Sequence, residues 1–387
     1  MTRLLLLIIA SWLAVTGVEA AQTTTASITI RVALAERVPL VELRGFQMEI
    51  VEIGSCQGCR AEPSRAEVVR PQAVWRTDTV RAVPSGPGLE LDGRRASGFR
   101  VVGDRIRWNG RDYGGPIELI RNGDGVAIVN EVPLEDYVAG VLRAEAGEKW
   151  PAEALRAQAI AARTYGAYHR VLGIGKPYHL VASTTHQQYA GRVGSGSPLW
   201  AAASETAGQV LLWEGELFPA FYHTESGGFT EDPRTVFAAR NMPALRPVRC
   251  EFSVGSPHFY WTLDLKLSDL TETLRRHEVA VGAVSAIEVV ERTPSLRATW
   301  VMVQGSRGRV RLRGNELRRM VGYDLLKSTL FAVAVHSDTV QFAGRGYGHG
   351  VGLCQWGAKG MAEQGYAARQ ILEFYYPGTT LGVLTGR

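Results

Sequence analysis

The chain has 387 residues, of which 45% are hydrophobic and 21% are charged, and this composition excludes an intrinsically disordered protein. Its formal charge of +5 and pI near 9.1 favour anionic partners, among them cell-wall polymers, membrane surfaces and nucleic acid. The five lysines and 38 arginines are spread along the chain without a concentrated run or interleaved aromatic residues, so we expect no nucleic-acid partner.

The N-terminus has the pattern of a secretory signal peptide. Arg3 precedes the apolar run 4–9, and the small-residue sequence Val18-Glu19-Ala20 follows, so we predict a signal peptide over residues 1–20. A membrane anchor is the alternative, but the apolar run is short for a span and no later segment approaches one. We therefore expect an exported protein that works in the periplasm or the cell wall.

The four cysteines of an exported chain are expected to form disulfides. Cys56 and Cys59 would close a tight turn, and Cys250 and Cys354 would join across the second half, although the sequence leaves the connectivity open. The alternative is a zinc site in the second half, but the spacing is unlike the common paired-ligand patterns. We predict no metal and no cofactor. The residues considered as zinc ligands are Cys250, His258, His349 and Cys354.

Residues 21–114 are predicted to form a β-rich N-terminal region. Apolar and polar residues alternate from about 27 to 129, with Gly, Pro and Asp turns between short runs. The region either positions a catalytic part or is a structural lead-in without a ligand, and we favour the second interpretation. The Arg- and Pro-containing segment 60–95 is expected to hold loops.

The stretch from Glu135 to Tyr168 carries the main candidate for chemistry. An apolar helix-like run precedes Glu145, and a second helix is predicted from about Pro151 to Leu172. Glu145 is an isolated carboxylate between these helices, and we interpret it as a general acid/base with a raised pKa. A solvated residue in an interhelical turn is the competing interpretation.

Two arginines of the second helix form the next candidate group. Arg156 and Arg163 are seven positions apart, so they share one face of the helix. A cation beside Glu145 would lower its pKa, so we expect both guanidiniums to reach an anionic group of the substrate instead. An exposed, solvated face is the competing interpretation.

Two polar loops follow the helical hairpin. The first places His186, Gln188 and Tyr189 close together, and polar groups beside an aromatic ring suit a sugar ligand, although a plain surface loop has the same composition. The second follows a helix predicted at 198–206 and a hairpin. It ends in Gly227 and Gly228, which either let the backbone approach a ligand or form a plain tight turn.

Residues 259–340 are predicted to form an inserted α+β subdomain. We expect a strand, a helix at 267–276, strands near 286–291, 298–305 and 309–313, and a short helix at 314–321. The segment carries no clustered chemistry, so we interpret it as structural. The elements together predict an α+β protein.

The C-terminal block alternates glycines between 344 and 352. This pattern fits neither the dinucleotide fingerprint nor the P-loop, so we expect no nucleotide. We expect the glycines to let the backbone and His349 approach a wide ligand, with Gln355 nearby. The later aromatic residues offer flat faces for sugars or pack in the core, and we favour the core. These residues are Trp356, Tyr375 and Tyr376.

Several long blocks in a fixed order resemble the stage II sporulation protein D and amidase-enhancer family (SpoIID/LytB). The similarity covers about 115–381 and implies a mixed α/β catalytic domain over 115–387, with the subdomain 259–340 inserted in it. It also implies a peptidoglycan lytic transglycosylase, which cuts between N-acetylmuramic acid and N-acetylglucosamine and leaves an anhydro end. The blocks are VPLEDYVAGVLRAEAG, ALRAQAIAARTYGAY, STTHQQYAG, AFYHTESGG and GRGYGHGVGLCQWGAKGMAEQGY.

The resemblance also implies site residues. The family's catalytic glutamate falls on Glu145, and its basic residues fall on Arg156 and Arg163. Ala146-Gly147 follows Glu145 where relatives often have Met-Pro, and no cysteine lies near the first polar loop, where some relatives hold a metal. The remaining implied positions are His186, Gln188, Tyr189, Tyr222, His223, Ser226, Gly227 and Gly228.

A lytic cleavage needs only one carboxyl, because the C6 hydroxyl of muramic acid attacks its own C1. Glycoside hydrolysis needs two carboxylates, and Glu231 or Asp232 would be the second. The family's other name suggests a third function, a non-catalytic peptidoglycan-binding partner of a cell-wall amidase. The predicted partners are therefore peptidoglycan strands and a cell-wall amidase. The arginines are expected to bind the lactyl carboxylate of muramic acid or its peptide.

Overall fold

The computed structural model describes residues 28–54, 74–237 and 241–384. Strands and helices alternate irregularly along these ranges, which confirms the predicted α+β class. The predicted signal peptide and the predicted Cys56–Cys59 pair lie outside the described residues. Within the described ranges, no helix is both long and apolar enough to cross a membrane.

One large sheet contains most strands that precede the first helix. Alternating residues such as Ile30 and Val32 are buried on its inner face, as expected for a sheet with one solvated face. The sheet runs in the order β11-β1-β10-β9-β6-β2-β3-β4-β5, with β7 paired to β2 and β8. It therefore includes strands on both sides of residue 114. The strands are β1 (Thr29–Val38), β2 (Val41–Ile53), β3 (Val74–Ser85), β4 (Gly88–Leu91), β5 (Arg94–Ala96), β6 (Gly98–Val102), β7 (Ile106–Trp108), β8 (Arg111–Tyr113), β9 (Ile117–Asn122), β10 (Gly125–Pro133) and β11 (Leu180–Val181).

The loop prediction for 60–95 is wrong for residues 74–95. The second half of strand β3 alternates with a period of two, because Val80 and Ala82 are buried while Thr79 and Arg81 are exposed. Pro84 lies near the end of β3, where it disturbs the ladder little. The arginines that suggested loops are thus the solvent face of an ordinary strand.

The predicted helical hairpin is confirmed. Pro151 is the residue immediately before the second helix, which fits its fixed φ. Apolar residues of the first helix, among them Tyr137 and Val138, share one core with the sheet. Ser197 caps a third helix by accepting a hydrogen bond from the backbone of Leu199 at 3.2 Å. These helices are α1 (Leu134–Glu145), α2 (Ala152–Leu172) and α3 (Pro198–Glu205).

The segment after α3 forms the predicted hairpin and continues into two short elements. Leu212 pairs with Leu217 across the hairpin turn. A 3-10 helix lies further on, at Pro243–Leu245. The elements are β12 (Gln209–Trp213), β13 (Glu216–Leu217), β14 (Tyr222–His223) and α4 (Pro233–Phe237).

The inserted segment has its own hydrophobic core, which includes Trp261, Leu270, Leu317 and Phe342. The predicted helices and strands are all present, and one further strand pair, absent from the prediction, follows them. Two three-stranded sheets, β15-β20-β19 and β16-β17-β18, enclose this core. The elements are β15 (Tyr260–Lys266), α5 (Leu267–Arg276), β16 (Val284–Arg292), β17 (Ala298–Gly305), β18 (Gly308–Arg313), α6 (Gly314–Val321), β19 (Phe331–His336) and β20 (Thr339–Arg345).

The C-terminal block packs back onto α2 and the hairpin in a third core. Tyr375 and Tyr376 are fully buried there, which confirms the core interpretation of these two rings. Trp356 is partly buried, with its ring centroid 5.8 Å from that of Trp150. The elements are β21 (Leu353–Cys354), α7 (Gln355–Glu363), α8 (Ala368–Tyr375) and β22 (Thr380–Val383), and β22 pairs with β12.

Candidate functional site

A cleft with a volume of about 440 Å³ collects polar residues from segments that are far apart in the sequence. The end of α1, the loop after β11, strand β14 and the glycine-rich loop before β21 all contribute to it. The structure thus brings half of the predicted site residues to one place. Those that line the cleft are Glu145, His186, Gln188, Tyr222, His223 and His349.

Glu145 is the last residue of α1 and is half-buried at the cleft wall. Burial raises the pKa of its carboxyl, and the negative end of the helix dipole acts in the same direction. The backbone N–H of Gln188 donates to Oε1 at 3.0 Å and opposes this rise in pKa. A freely solvated turn residue, the competing interpretation, does not fit this position.

Gln355 opens helix α7 and is buried beside Glu145. Its side-chain amide also opposes the rise in the pKa of Glu145, although no hydrogen bond of normal geometry joins the two groups. The Nε2 atom of Gln355 has no hydrogen-bond partner among the described residues. Gln355 therefore acts on the pKa of Glu145 from the protein interior and does not line the cleft.

Two histidines of the cleft are held neutral. Burial lowers the pKa of His223 well below its usual value and that of His349 to about 3, with Arg318 and Arg297 as further causes for His349. The Nδ1 atom of His223 lies 3.1 Å from the carbonyl oxygen of Val351, to which it donates. The Nδ1 atom of His349 accepts from the backbone N–H of Val351 at 3.0 Å. Both rings are thus polar, uncharged groups that suit hydroxyl ligands.

The first polar loop is fixed to the edge of the large sheet. Strand β11, which ends at Val181, runs parallel to β1. His186 follows five residues after Val181, and its Nδ1 atom accepts a hydrogen bond from the backbone N–H of Val181 at 3.4 Å. Burial lowers the pKa of His186 as well. The β-rich region therefore positions part of the cleft, a role that the structural lead-in interpretation did not include.

The glycine-rich loop meets the second polar loop through backbone contacts. Strands β14 and β21 pair in parallel, with Tyr222 opposite Leu353. Gly352 has φ +72°, and a Cβ there would lie 2.0 Å from the carbonyl oxygen of Phe221. Gly346 has φ +82° and a similar clash with Glu225 at 2.9 Å. At these two positions glycine allows two protein segments to meet, and not the approach of a ligand that the sequence pattern predicts.

The inserted subdomain forms another part of the cleft wall, so its interpretation as purely structural is corrected. Asn315 and Arg318 from α6 line the cleft, as do Tyr323 and Asp324 from the turn after it. The hydroxyl of Tyr347 donates to Oδ1 of Asp324. These residues carry no motif in the sequence, and only the polar Tyr-Asp pair after a helix-ending glycine could have drawn attention to them.

A second cavity of about 390 Å³ continues the cleft along the inserted subdomain. The two cavities share Phe237, Asn315, Tyr323, Gly348 and His349. The charged residues that line only the second cavity are Glu231, Arg297, Arg313, Glu316 and Arg319. The cleft is therefore elongated, a shape that suits a polymer better than a compact ligand.

Neither predicted arginine of α2 reaches the cleft, and this prediction is corrected. The side chain of Arg163 is 0% exposed and forms an ion pair with Glu135. Its guanidinium also donates to the carbonyl oxygens of Ala203 at 2.8 Å and Gln209 at 3.2 Å. Arg156 pairs on the surface with Glu153 and Glu205. Helical spacing put the two on one face, but protein carboxylates already occupy that face.

Three further predicted residues support the loops from inside. Tyr189 is buried, and its hydroxyl donates to Oδ1 of Asn130 at 3.1 Å. Ser226 is buried, and its Oγ accepts from the backbone of Gly228 at 3.3 Å. Gly227 has φ +73° and lies tightly against Leu330 and Arg345. These residues hold the site together but do not line it.

Cys250 and Cys354 are free, buried thiols in the structure, so the predicted disulfide between them is not formed. The two thiols are neighbours, and the hydrogen bond between them lowers the pKa of Cys250 to about 6. The Sγ of Cys250 also lies 3.0 Å from the hydroxyl of Tyr375. Among residues 28–54, 74–237 and 241–384, no group of three or more His, Cys, Asp and Glu could hold a metal ion.

Two family models match this chain, and each match contains part of the cleft lining. Residues 122–213, which contain Glu145, His186 and Gln188, match the family model described as Stage II sporulation protein. Residues 251–352, which contain Arg318 and Asp324, match a domain of unknown function.

Three relatives show the extent of the similarity. An uncharacterized protein of Brachyspira hyodysenteriae is 31% identical over 72% of this chain and 74% of its own length. The amidase enhancer of Bacillus subtilis is 31% identical over 62% of this chain, which spans 40% of that protein. The stage II sporulation protein D of Bacillus subtilis is 27% identical over 65% of this chain and 75% of its own length. The chain belongs to the stage II sporulation protein D and amidase-enhancer family.

Proposed function

We propose that this protein is an exported peptidoglycan lytic transglycosylase that uses Glu145 as its general acid and base. The observation that carries the proposal is the position of Glu145 in an elongated polar cleft. Its carboxyl is half-buried there, and burial raises its pKa. A raised pKa keeps a carboxyl protonated nearer to neutral pH, as the first step of glycosidic cleavage requires.

The reaction needs one carboxyl because the substrate supplies its own nucleophile. Glu145 donates its proton to the glycosidic oxygen, and the bond from that oxygen to C1 of N-acetylmuramic acid breaks. The C6 hydroxyl of the same sugar forms a bond to C1, and the Glu145 carboxylate takes the hydroxyl proton. No water is consumed, the muramic unit becomes a 1,6-anhydro end, and Glu145 returns to its protonated form.

The lining of the cleft supports a sugar substrate. His186, His223 and His349 are kept neutral by burial, so they offer hydrogen bonds to hydroxyl and amide groups without adding positive charge beside Glu145. Tyr222 and Phe237 add apolar and aromatic surface. This combination of flat rings and uncharged polar groups is typical of a carbohydrate site.

The first alternative is a hydrolase with two carboxylates. Glu231 accepts hydrogen bonds from Thr293 and Ser295, and Asp232 is paired with Arg234, so both proposed partners are engaged away from Glu145. Glu231 and Glu316 line only the second cavity, and Asp324 is the other carboxylate of the cavity around Glu145 among the described residues. A hydrolytic mechanism would therefore have to use Asp324.

The second alternative is a non-catalytic partner of a cell-wall amidase, for which the name of the Bacillus subtilis relative is the supporting observation. In that case the cleft would bind glycan strands without cutting them. This function differs from the lytic transglycosylase only in that the bound strand stays intact.

The mass of the products distinguishes the three functions. Purified glycan strands are incubated with the protein, and we expect fragments that end in anhydro-muramic acid. Reducing ends, heavier by one water, would indicate the hydrolase, and intact strands would indicate the binding partner. Glu145→Gln should abolish cutting with strand binding kept, whereas Glu148→Gln, which changes an exposed glutamate three residues away, should cut normally.

A further inference from the structure

Arg318 is a buried cation in the wall of the cleft. It belongs to helix α6 of the inserted subdomain and is only 6% exposed. Its Nε donates to the carbonyl oxygen of Leu326 at 2.9 Å, and its guanidinium lies 4.5 Å from the ring centroid of Tyr323. None of the ion pairs found in the described parts of the chain includes Arg318, although the charge of Asp324 is near enough to raise its pKa.

This lack of a partner is unusual, because buried charges in proteins are normally paired. The two Nη nitrogens of Arg318 form no hydrogen bond to the described residues, yet they are not among the fully enclosed unpartnered atoms. They therefore keep contact with the cleft that Arg318 lines. Burial lowers the pKa of Arg318 to about 10, which still leaves it charged at neutral pH.

The charges around Arg318 favour an incoming anion. Arg297 is close enough to lower the pKa of Arg318, Asp324 is close enough to raise it, and Lys327 lies 5.9 Å from the ring centroid of Tyr347. The nearest carboxylate in the cleft, Asp324, already accepts a hydrogen bond from Tyr347. The raised pKa of Glu145 reduces its negative charge. The neighbouring histidines are neutral, so Arg318 is the one permanent cation among the described residues that line the cleft and the group that a ligand carboxylate would meet.

We propose that Arg318 binds a carboxylate of the peptidoglycan strand in the cleft of Glu145. The proposal rests on the proposed function, since it assumes that the cleft holds this polymer. The sequence assigned this role to Arg156 and Arg163, whose guanidiniums are occupied by protein carboxylates. Arg318 offers two free nitrogens in the planar geometry that pairs with a carboxylate. The carboxylate comes either from the lactyl group of muramic acid or from a stem peptide.

Binding measured without cleavage tests the proposal. In the Glu145→Gln protein, the ligands are short peptide-free strands, the same strands with their carboxylates converted to neutral methylamides, and chitooligosaccharides of equal length. We expect the charged strands to bind about tenfold tighter or more than the neutralised ones. Arg318→Gln should remove this preference and leave the affinity for chitooligosaccharides unchanged, and Arg318→Lys should keep part of it.

Arg276→Gln is the matched control, because it removes one exposed positive charge from the same subdomain and should keep the preference. Equal binding of charged and neutralised strands, both without and with their peptides, would overturn the proposal, and this comparison needs no change at Arg318. A preference that survives Arg318→Gln would also overturn it. Strands that retain their peptides form a further arm: a preference seen only with them assigns the carboxylate to the peptide. Because cleavage is not measured, loss of the preference leaves the product-mass test of Glu145 unaffected.

Discussion

The cleft lies between two regions of the molecule, and each contains a buried arginine and a carboxylate with opposite pairing. In the region of α1 and α2, Arg163 lies away from the cleft and is fully engaged by Glu135, and Glu145 at the cleft has no cationic partner. On the wall of the inserted subdomain, Arg318 has no ion-pair partner among the described residues, and Asp324 accepts a hydrogen bond from Tyr347. Burial alone does not separate a structural charge from a functional one; the partner does.

The largest expected difference between the two regions is in cleavage. If Glu145 alone carries the proton transfers, Glu145→Gln should reduce the rate of strand cleavage by about 10²–10⁴-fold. Asp324→Asn keeps a hydrogen-bond acceptor for Tyr347 and should reduce it less than about tenfold, the effect of one hydrogen bond of about 1 kcal/mol. The rates are measured on the same glycan strands by the release of soluble fragments. Equal losses at both positions would contradict the single-carboxyl mechanism.

The second difference concerns stability. Arg163→Leu leaves the half-buried Glu135 without its cation and two carbonyl oxygens without donors, so we expect a loss of about 3–5 kcal/mol in the free energy of unfolding. Arg318→Leu removes one hydrogen bond and also an unpaired buried charge, and we expect a loss of about 1–2 kcal/mol. Urea denaturation gives both values. Similar losses for the two variants would mean that Arg318 is also a structural residue.

Much of the fold can be predicted from local patterns in the sequence. The helical hairpin, helix α3 and the elements of the inserted subdomain follow from periods of 3.6 and 2 that short segments carry by themselves. Strands β3 to β5 escaped prediction because arginines on their solvent face resembled a polar loop. Which segments pair in the sheets, such as β14 with β21, depends on contacts between distant residues and has no local signature.

The site shows the same division. Glu145 could be predicted because its isolation between two helices is a local feature. The partner of Arg163 could not, since Glu135 lies on another helix and is brought close only by packing. Arg318 and Arg319 are adjacent and chemically identical in the sequence, yet the first is buried and the second is exposed. Only the orientation of α6 on its core decides that Arg318 lines the cavity around Glu145 and that Arg319 lines the second cavity.

A smaller effect should appear in the pH dependence of stability. A carboxyl whose folded pKa is raised contributes stability below its unfolded pKa and loses it as the pH rises through the folded pKa. Glu145 therefore costs stability at neutral pH, by about 1.4 kcal/mol for each unit of displacement. Glu145→Gln should thus be more stable than the unchanged protein at pH 7, and the gain should shrink toward pH 4. Thermal unfolding across this range measures it, and a gain that is constant with pH would contradict the raised pKa.

The same shift has a consequence for activity. The acid step needs protonated Glu145, so cleavage should decline as the pH rises through its pKa. Gln355→Leu removes a contact that opposes the rise, so this decline should move to higher pH. A rate profile of each protein between pH 4 and 8 shows the direction. A decline that moves to lower pH would mean that Gln355 does not act on Glu145 in this way.

The smallest effect is expected at the other arginine of α2. Arg156 and Arg163 are seven residues apart on one helical face, but Arg156 pairs with Glu153 and Glu205 at the surface, with 32% of its side chain exposed. Exposed pairs are screened by water and contribute about 0–1 kcal/mol, so Arg156→Leu should change the free energy of unfolding by no more than this. Urea denaturation beside Arg163→Leu makes the comparison within one helix. A loss at Arg156 as large as that at Arg163 would show that the shared face, and not the burial of the ion pair, determines what an arginine of α2 contributes.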